Sequence, residues 1–115
     1  MIMLKSVFIA SVYAVFTLFC TQAYAAETFK SSDFLEWSDG NKSLYIRTTV
    51  GTAGLIASYN DKKHQECLET WYISNEEKSN KEIYNVMKNY PDFHPRGVIF
   101  AVIRKHCGTF DYSQR

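Results

Sequence analysis

The residues of this sequence most capable of chemistry are three cysteines and three histidines. Zinc prefers such ligands, and a structural zinc site needs four of them arranged as a tetrahedron. Cys67 has only His64 as a close neighbour of these types, whereas His106 and Cys107 are adjacent and would point apart on a helix. Because this spacing does not match a zinc site, the sequence predicts no metal and no other cofactor.

A cysteine nucleophile paired with a histidine such as His94 would need a free, activated thiolate beside a positioned base. The sequence also has no Gly-rich phosphate loop, no Ser-centred nucleophile elbow and no helical zinc-protease motif. Its scattered carboxylates, among them Asp33, Glu36 and Asp39, are typical of a solvated face. We therefore predict no catalytic residues and no enzymatic activity.

The compact polar segment His94-Pro95-Arg96-Gly97 has two interpretations. In the first, Arg96 lies at a helix start, where a cation and free N–H groups would help to hold an anion. In the second, Pro95 explains an extended His94 before it, and Gly97 only lets the first turn pack against a neighbouring helix. The second interpretation is favoured.

The amino-terminal residues have the three parts of an export signal, namely a charge at Lys5, an apolar run over 7–19, and the small residues Ala23 and Ala25. We expect cleavage after Ala25, with 1–25 as signal peptide and 26–115 as a single periplasmic domain. The 13-residue apolar run is shorter than the ~20 residues that a membrane-spanning helix needs, which argues against an anchor.

The charge balance bears on the class of partner. With Lys5 removed, thirteen Lys plus Arg residues become twelve, against twelve Asp plus Glu. A neutral domain without a basic run lacks the positive patch that nucleic acids and anionic membranes require. We therefore expect a protein partner, with no nucleic acid and no membrane after cleavage of the signal.

The two cysteines left in the mature domain are Cys67 and Cys107. A domain of about 90 residues buries a small core, and in an oxidising compartment a cysteine pair is most simply a disulfide. Closing a loop of about 40 residues would stabilise the fold by about 4 kcal/mol in the chain-entropy model. We predict this disulfide, with a role in folding.

Two helices are predicted near the carboxyl terminus. One begins at Pro95, a residue tolerated in a first turn, and is closed by Gly108. The other begins at a Ser79 cap and ends at Pro91, and a solvated connection over 76–78 precedes it. The short link between them predicts a helical hairpin.

Three more helices are predicted upstream. A short one is capped by Ser32 and ends before turn residues 38–42, a second covers 43–59, and a third covers 64–73. Residues 43–50 are ambiguous between helix and strand, and the longer helical repeat favours helix. Gly51 and Gly54 would then mark a close helix contact. The sequence thus predicts an all-α, compact bundle of four to five helices stapled by one disulfide.

Five marks occur in order along the chain: Phe34-Leu35-Glu36-Trp37-Ser38, a glycine-containing helix, Cys67, a helix ending near Tyr90-Pro91, and His94-Pro95 leading into an apolar helix. Together they resemble the Rap/Tai family of exported immunity proteins, which protect bacteria from type VI secretion effectors, particularly peptidoglycan amidases. The resemblance spans most of 34–108, and it implies a compact α-helical fold, frequently dimeric, that blocks a toxin's catalytic cleft with a protruding loop.

On this resemblance we predict a periplasmic immunity protein that binds and inhibits a cell-wall-degrading, amidase-type toxin, with a homodimer among the expected forms. Exposed aromatic side chains beside polar loops would be natural anchors for the toxin. The two polar connections are the predicted contact residues: Asn60, Asp61, Lys62, Lys63, His64, Asn75, Glu76, Glu77 and Lys78.

Two alternative functions fit the same features. An HdeA-like periplasmic chaperone is also small, helical and held by one disulfide, and it would expose apolar surface at low pH. An envelope adaptor would bind a protein partner unrelated to toxins. The chaperone would bind many clients weakly in acid, whereas an immunity protein would form one tight complex.

Overall fold

A computed structural model describes residues 28–112, and within this range the chain is all-α with no strand. The predicted fold class is confirmed, whereas the predicted signal peptide over 1–25 lies outside the described residues. No helix in the described part is long and apolar enough to cross a bilayer. The elements are α1 (Ser31–Leu35), α2 (Asp39–Asn60), α3 (Lys62–Trp71), a 3-10 turn (Ile73–Asn75), α4 (Glu76–Asn89) and α5 (Pro95–Cys107).

The longest of the described helices, α2, contains the segment whose secondary structure was ambiguous. Residues 43–50 are helical throughout, so the preference for helix over strand is confirmed. The predicted turn over 38–42 is instead the start of this helix, because the Ser38 hydroxyl accepts a hydrogen bond from the Asn41 N–H at 3.3 Å. Four apolar side chains face the core at helical spacing: Ile46, Val50, Ala53 and Ala57.

The two glycines of α2 do not mark a close helix contact, contrary to the prediction. Gly51 is exposed, and a Cβ atom added there would have no other atom within 4 Å. A Cβ atom on Gly54 would lie 4.0 Å from the Leu68 Cδ1 atom, an ordinary van der Waals distance. Neither position therefore requires glycine for backbone approach.

The helix α4 begins three residues earlier than predicted, at Glu76. Ser79 is buried inside the helix, and its hydroxyl donates to the Trp71 carbonyl oxygen at 2.8 Å. It therefore provides a hydrogen-bond donor for the last carbonyl of α3 and does not cap α4. Glu76 and Glu77 occupy the first turn, where carboxylates favour the helix dipole. Residues 76–78 are therefore helical, and the predicted solvated connection is wrong.

The predicted boundaries of α5 are confirmed. Pro95 occupies its first turn, and the His94 ring accepts a hydrogen bond from the Arg96 N–H at 3.1 Å. Gly108 ends the helix with φ of +77°, a conformation that side chains other than glycine rarely adopt. Helices α4 and α5 pack on each other, as the predicted hairpin requires.

All five helices within residues 28–112 contribute to one core. The Tyr72 side chain is fully buried, and its hydroxyl donates to the Asn80 Oδ1 atom at 2.8 Å. Burial raises the pKa of the Tyr72 hydroxyl, so the ring stays neutral. The apolar residues around it are Phe34, Ile46, Val50, Ala53, Leu68, Ile83, Met87, Val98, Ile99, Val102 and Ile103.

The predicted disulfide between Cys67 and Cys107 is confirmed. Their Cα atoms are 5.6 Å apart, and the bond joins the middle of α3 to the last residue of α5. The bond therefore ties together two elements 40 residues apart in the chain.

Candidate functional site

The two polar segments predicted to contact a partner lie at helix junctions and not in free loops. Asn60 ends α2, Asp61 caps α3 by accepting from the His64 N–H at 3.2 Å, and 62–64 form the first turn of α3. Asn75 ends the 3-10 turn, and 76–78 form the first turn of α4. The segments lie at opposite ends of α3, which is about 15 Å long at 1.5 Å per residue.

His64 does not belong on a contact surface, because only 4 % of it is exposed. Its Nδ1 atom lies 3.3 Å from the Cys107 carbonyl oxygen, and its Nε2 atom is hydrogen-bonded to the Tyr112 hydroxyl. A carbonyl only accepts, so in the neutral ring Nδ1 donates and Nε2 accepts from the hydroxyl. Phe110 stacks on the ring at 4.9 Å. His64 thus holds residues 107–112 against α3.

Glu76 also has a structural partner. Its Oε1 atom accepts from the Arg47 Nε atom at 2.9 Å and from the Arg47 Nη2 atom at 2.6 Å, which joins α4 to α2. The guanidinium pKa of Arg47 is raised by this hydrogen-bonded carboxylate. The exposed members of the predicted set are Asn60, Lys62, Lys63, Asn75, Glu77 and Lys78.

The turn between α4 and α5 presents two aromatic rings to solvent. We call Tyr90, Pro91, Asp92 and Phe93 the aromatic turn. Tyr90 is 54 % exposed and Phe93 is 61 % exposed, and their rings meet edge to face with centroids 5.7 Å apart. Exposed aromatic rings are the predicted anchors for a protein partner, although the predicted contact residues lie in 60–64 and 75–78.

The aromatic turn is held in place by the start of α1. The Ser31 N–H and hydroxyl donate to the Phe93 carbonyl oxygen at 2.8 and 2.7 Å, and the Ser32 N–H donates to the Pro91 carbonyl oxygen at 3.0 Å. The first N–H groups of a helix have no partner within the helix, so here they are available to bind the turn. Ser32 is therefore inside α1, and its prediction as the helix cap is wrong.

Behind the aromatic turn, ring contacts join α1, α2 and the start of α5. The Phe29 ring stacks on Trp37 at 5.3 Å and meets the His94 ring edge to face at 5.5 Å. Tyr45 on α2 lies 5.1 Å from the Phe34 ring. His94, the residue that follows the aromatic turn, is therefore part of a packed aromatic cluster.

A histidine–carboxylate pair lies on another face, beside the disulfide. The His106 Nε2 atom is 2.7 Å from Glu82 Oε1, the Lys105 Nζ atom is 3.3 Å from the same oxygen, and the His106 ring stacks on Trp71 at 4.8 Å. Burial acts to raise the pKa of Glu82, but hydrogen bonds and positive charge from His106 and Lys105 outweigh it and leave the pKa below its usual range.

The chemistry available beside this pair is limited by the disulfide. A histidine paired with a carboxylate is the arrangement of a general base, but the neighbouring Cys67 is oxidised and offers no thiolate. Among residues 28–112, no three His, Cys, Asp or Glu side chains converge as a metal site. The pair therefore has the geometry of a charged link between α4 and α5.

No family model, curated protein or solved structure matches this chain. Fold and site define the molecule as an all-α, disulfide-bonded domain with a fixed turn bearing exposed aromatic rings.

Proposed function

We propose that this chain is an exported immunity protein, which binds and inhibits a cell-wall-degrading, amidase-type toxin in the periplasm, as its resemblance to the Rap/Tai family implies. The observation that carries the proposal is the aromatic turn with its half-exposed Tyr90 and Phe93. Tyrosine and other aromatic side chains dominate binding energy at protein interfaces, because each buries a large area at a small cost in side-chain entropy.

The fixed conformation of the turn supports an inhibitor. Ordering a flexible loop on binding costs free energy, and that cost is reduced when the loop is held in place beforehand. Here Ser31 and Ser32 hold the backbone of the turn by three hydrogen bonds. A rigid turn between two helices suits insertion into a concave site such as an enzyme cleft.

The polar junctions supply the second part of the proposed contact. Lys62 and Lys63 at one end of α3, and Glu77 and Lys78 at the start of α4, are exposed and carry both signs of charge. Charges at the rim of an interface set association rate and selectivity more than affinity. We leave the buried His64 out of the contact, and we assign Glu76 to its pair with Arg47.

Export is part of the same proposal. It rests on Lys5, the apolar run over 7–19 and the small residues before position 26, all outside the described residues. A neutral domain stapled by a disulfide suits the periplasm, where thiols are oxidised and peptidoglycan is accessible. A homodimer, which the resemblance implies, is compatible with one toxin bound per subunit.

We expect a gene for a cell-wall amidase beside this gene. The test is inhibition of that purified amidase by the processed protein isolated from the periplasm of an expression host. We expect inhibition to saturate at one chain per toxin. Replacing both anchors, Tyr90→Ala with Phe93→Ala, should weaken binding by at least about 30-fold, since each aromatic anchor is expected to contribute as a hot spot.

The matched control is Leu55→Ala, which removes an exposed apolar side chain from the interior of α2, outside the aromatic turn and both polar junctions. It should leave inhibition unchanged, and circular dichroism should show that all variants keep the helical fold. Absence of inhibition at equimolar ratio would contradict the proposed function. Full inhibition by the double variant would contradict only the role of the aromatic turn.

A further inference from the structure

A surface groove lies between the first half of α2 and the start of α5. Its volume is about 520 Å³, within the range of ligand-binding clefts, and none of the residues of the aromatic turn lines it. The residues that shape it are Trp37, Leu44, Tyr45, Thr48, Arg96 and Phe100.

Most of the groove is apolar and open to solvent. Leu44 is 57 % exposed and Trp37 is 40 % exposed. The same face of α2 continues at spacings of three and four through Thr48 and Thr52 to the exposed Leu55, about 17 Å beyond Leu44 at 1.5 Å per residue. This face has no charged residue over its whole length.

One positive charge stands in this apolar surface. The Arg96 guanidinium lies over the Tyr45 ring, 5.8 Å from its centroid, and makes no ion pair within residues 28–112. By contrast, the nearby cations Lys30, Lys42 and Arg47 all have carboxylate partners. A guanidinium held against an aromatic face keeps its N–H groups free to bind a carboxylate with two parallel hydrogen bonds.

We propose that the groove binds a peptide segment of a protein partner in which an acidic side chain lies between apolar side chains. Arg96 takes the carboxylate, and Leu44, Trp37 and Phe100 contact the apolar side chains. Charge complementarity selects this occupant over a second copy laid along α2, because the only carboxylate of α2, Asp39, already pairs with Lys42 at 3.3 Å and is not left to neutralise Arg96. The inference does not depend on the proposed toxin inhibition.

The experiment is selection of random dodecapeptides displayed on phage against the processed protein. We expect enriched peptides to share one Asp or Glu flanked by leucine or aromatic residues. The variant Arg96→Gln should lose this consensus, whereas Arg104→Gln, which removes an exposed cation from the far end of the same helix, should keep it. No enrichment, or the same consensus with Arg96→Gln, would overturn the proposal.

The binding place is checked by NMR with a synthetic peptide of the selected sequence. The two indole N–H signals give an internal control, because Trp37 lines the groove and Trp71 stacks on His106 elsewhere. We expect the Trp37 signal to shift as peptide is added and to reach saturation. Replacing the acidic residue of the peptide by glutamine should weaken binding about tenfold, and so should Arg96→Gln in the protein.

A second pair of variants tests the apolar part of the groove. Leu44→Ser should weaken the peptide about tenfold, and Ile73→Ser, which changes an equally exposed residue outside the groove, should not. Equal shifts of both indole signals would overturn the proposal. Analytical ultracentrifugation tests for self-association of the protein. Self-association that displaces the peptide would also overturn the proposal, because it would assign the groove to a second copy.

Discussion

At the scale of single residues, His64 and His106 are both close in sequence to a disulfide cysteine and differ in environment. The His64 ring is buried and engages the Cys107 carbonyl and the Tyr112 hydroxyl, whereas the partly exposed His106 ring binds Glu82. Both histidines are close in sequence to a cysteine, as ligands of a zinc site can be. In the fold, each histidine instead links helix α5 or the residues after it to another helix.

Replacing Tyr112 by phenylalanine tests the buried hydrogen bond of His64. The change Tyr112→Phe leaves the His64 Nε2 atom buried without a partner, and it should destabilise the fold by about 1–2 kcal/mol. Urea unfolding measures this loss. Tyr59→Phe removes a hydroxyl from an exposed ring and should change nothing, so equal stability of both variants would contradict the assigned hydrogen bond.

Replacing Glu82 tests the charged link between α4 and α5. A carboxyl whose pKa is lowered by folding stabilises the fold above its unfolded-state pKa of about 4.3, and this contribution is lost as pH falls through the lower folded-state pKa. Glu82→Gln should therefore lower stability by about 0.5–1 kcal/mol at pH 6, since the pair is partly exposed.

The pH series decides whether the effect of Glu82 is electrostatic. The difference between the wild type and Glu82→Gln in urea unfolding should shrink at pH 3. Glu66→Gln removes an exposed carboxylate of α3 that makes no ion pair within residues 28–112, and it should have almost no effect at either pH. A Glu82 effect that is equal at pH 3 and pH 6 would assign the loss to packing.

At the scale of elements, α1 has five residues and is too short to be stable by itself. It is fixed by Phe34, which is fully buried, and by the hydrogen bonds of Ser31 and Ser32 to the aromatic turn. The same bonds that satisfy the start of α1 set the conformation of the turn. This short helix therefore holds the backbone of the aromatic turn, the proposed binding surface, in one conformation.

Two glycine-to-alanine changes, one in α2 and one after α5, should change stability in opposite directions. Gly51 is exposed in the helix interior, so Gly51→Ala should raise stability by about 0.5–1 kcal/mol and the melting temperature by several degrees. Gly108→Ala makes the same chemical change at φ of +77° and should destabilise the fold by about 1 kcal/mol or more. Thermal unfolding by circular dichroism measures both.

A loss of stability in Gly51→Ala would contradict the open space found around that position. If Gly51→Ala is more stable and also weakens selection of acidic peptides, the proposed docking surface extends along α2 past the groove.

At the scale of the whole molecule, the small core and the disulfide act together. The core draws on every helix within residues 28–112, and the disulfide closes a 40-residue segment that includes the second half of α3 and all of α4 and α5. Its effect is expected mainly on the unfolded chain, whose freedom it restricts. The surface interactions described above are small beside this constraint.

Replacing both cysteines by serine should lower the free energy of unfolding by about 4 kcal/mol, the chain-entropy value for a loop of this length. Urea unfolding of Cys67→Ser with Cys107→Ser, compared with the wild type, measures the loss. Wild-type protein reduced with dithiothreitol should lose the same amount. If the reduced protein and the double variant remain as stable as the oxidised wild type, the bridge does not constrain the unfolded state.

The sequence by itself determined the helical class, the disulfide and the ends of α5. These features depend on local signals, namely apolar spacing, Pro95 at a helix start and Gly108 at a helix end, or on the only two cysteines of the predicted mature domain. Backbone sterics and hydrogen bonds within a few residues decide such features. Sequence reasoning therefore placed α5 correctly and resolved 43–50 as helix.

Only the tertiary structure decided which residues form surfaces. Ser79 has the local pattern of a cap, yet its hydroxyl binds the end of the preceding helix, and His64 in a polar segment is buried by Phe110 and Tyr112. Ser31 and Phe93 are 62 residues apart, so no local sequence pattern predicts the hydrogen bonds that fix the aromatic turn. Exposure and partnership depend on packing between distant segments, which spacing along the chain does not encode.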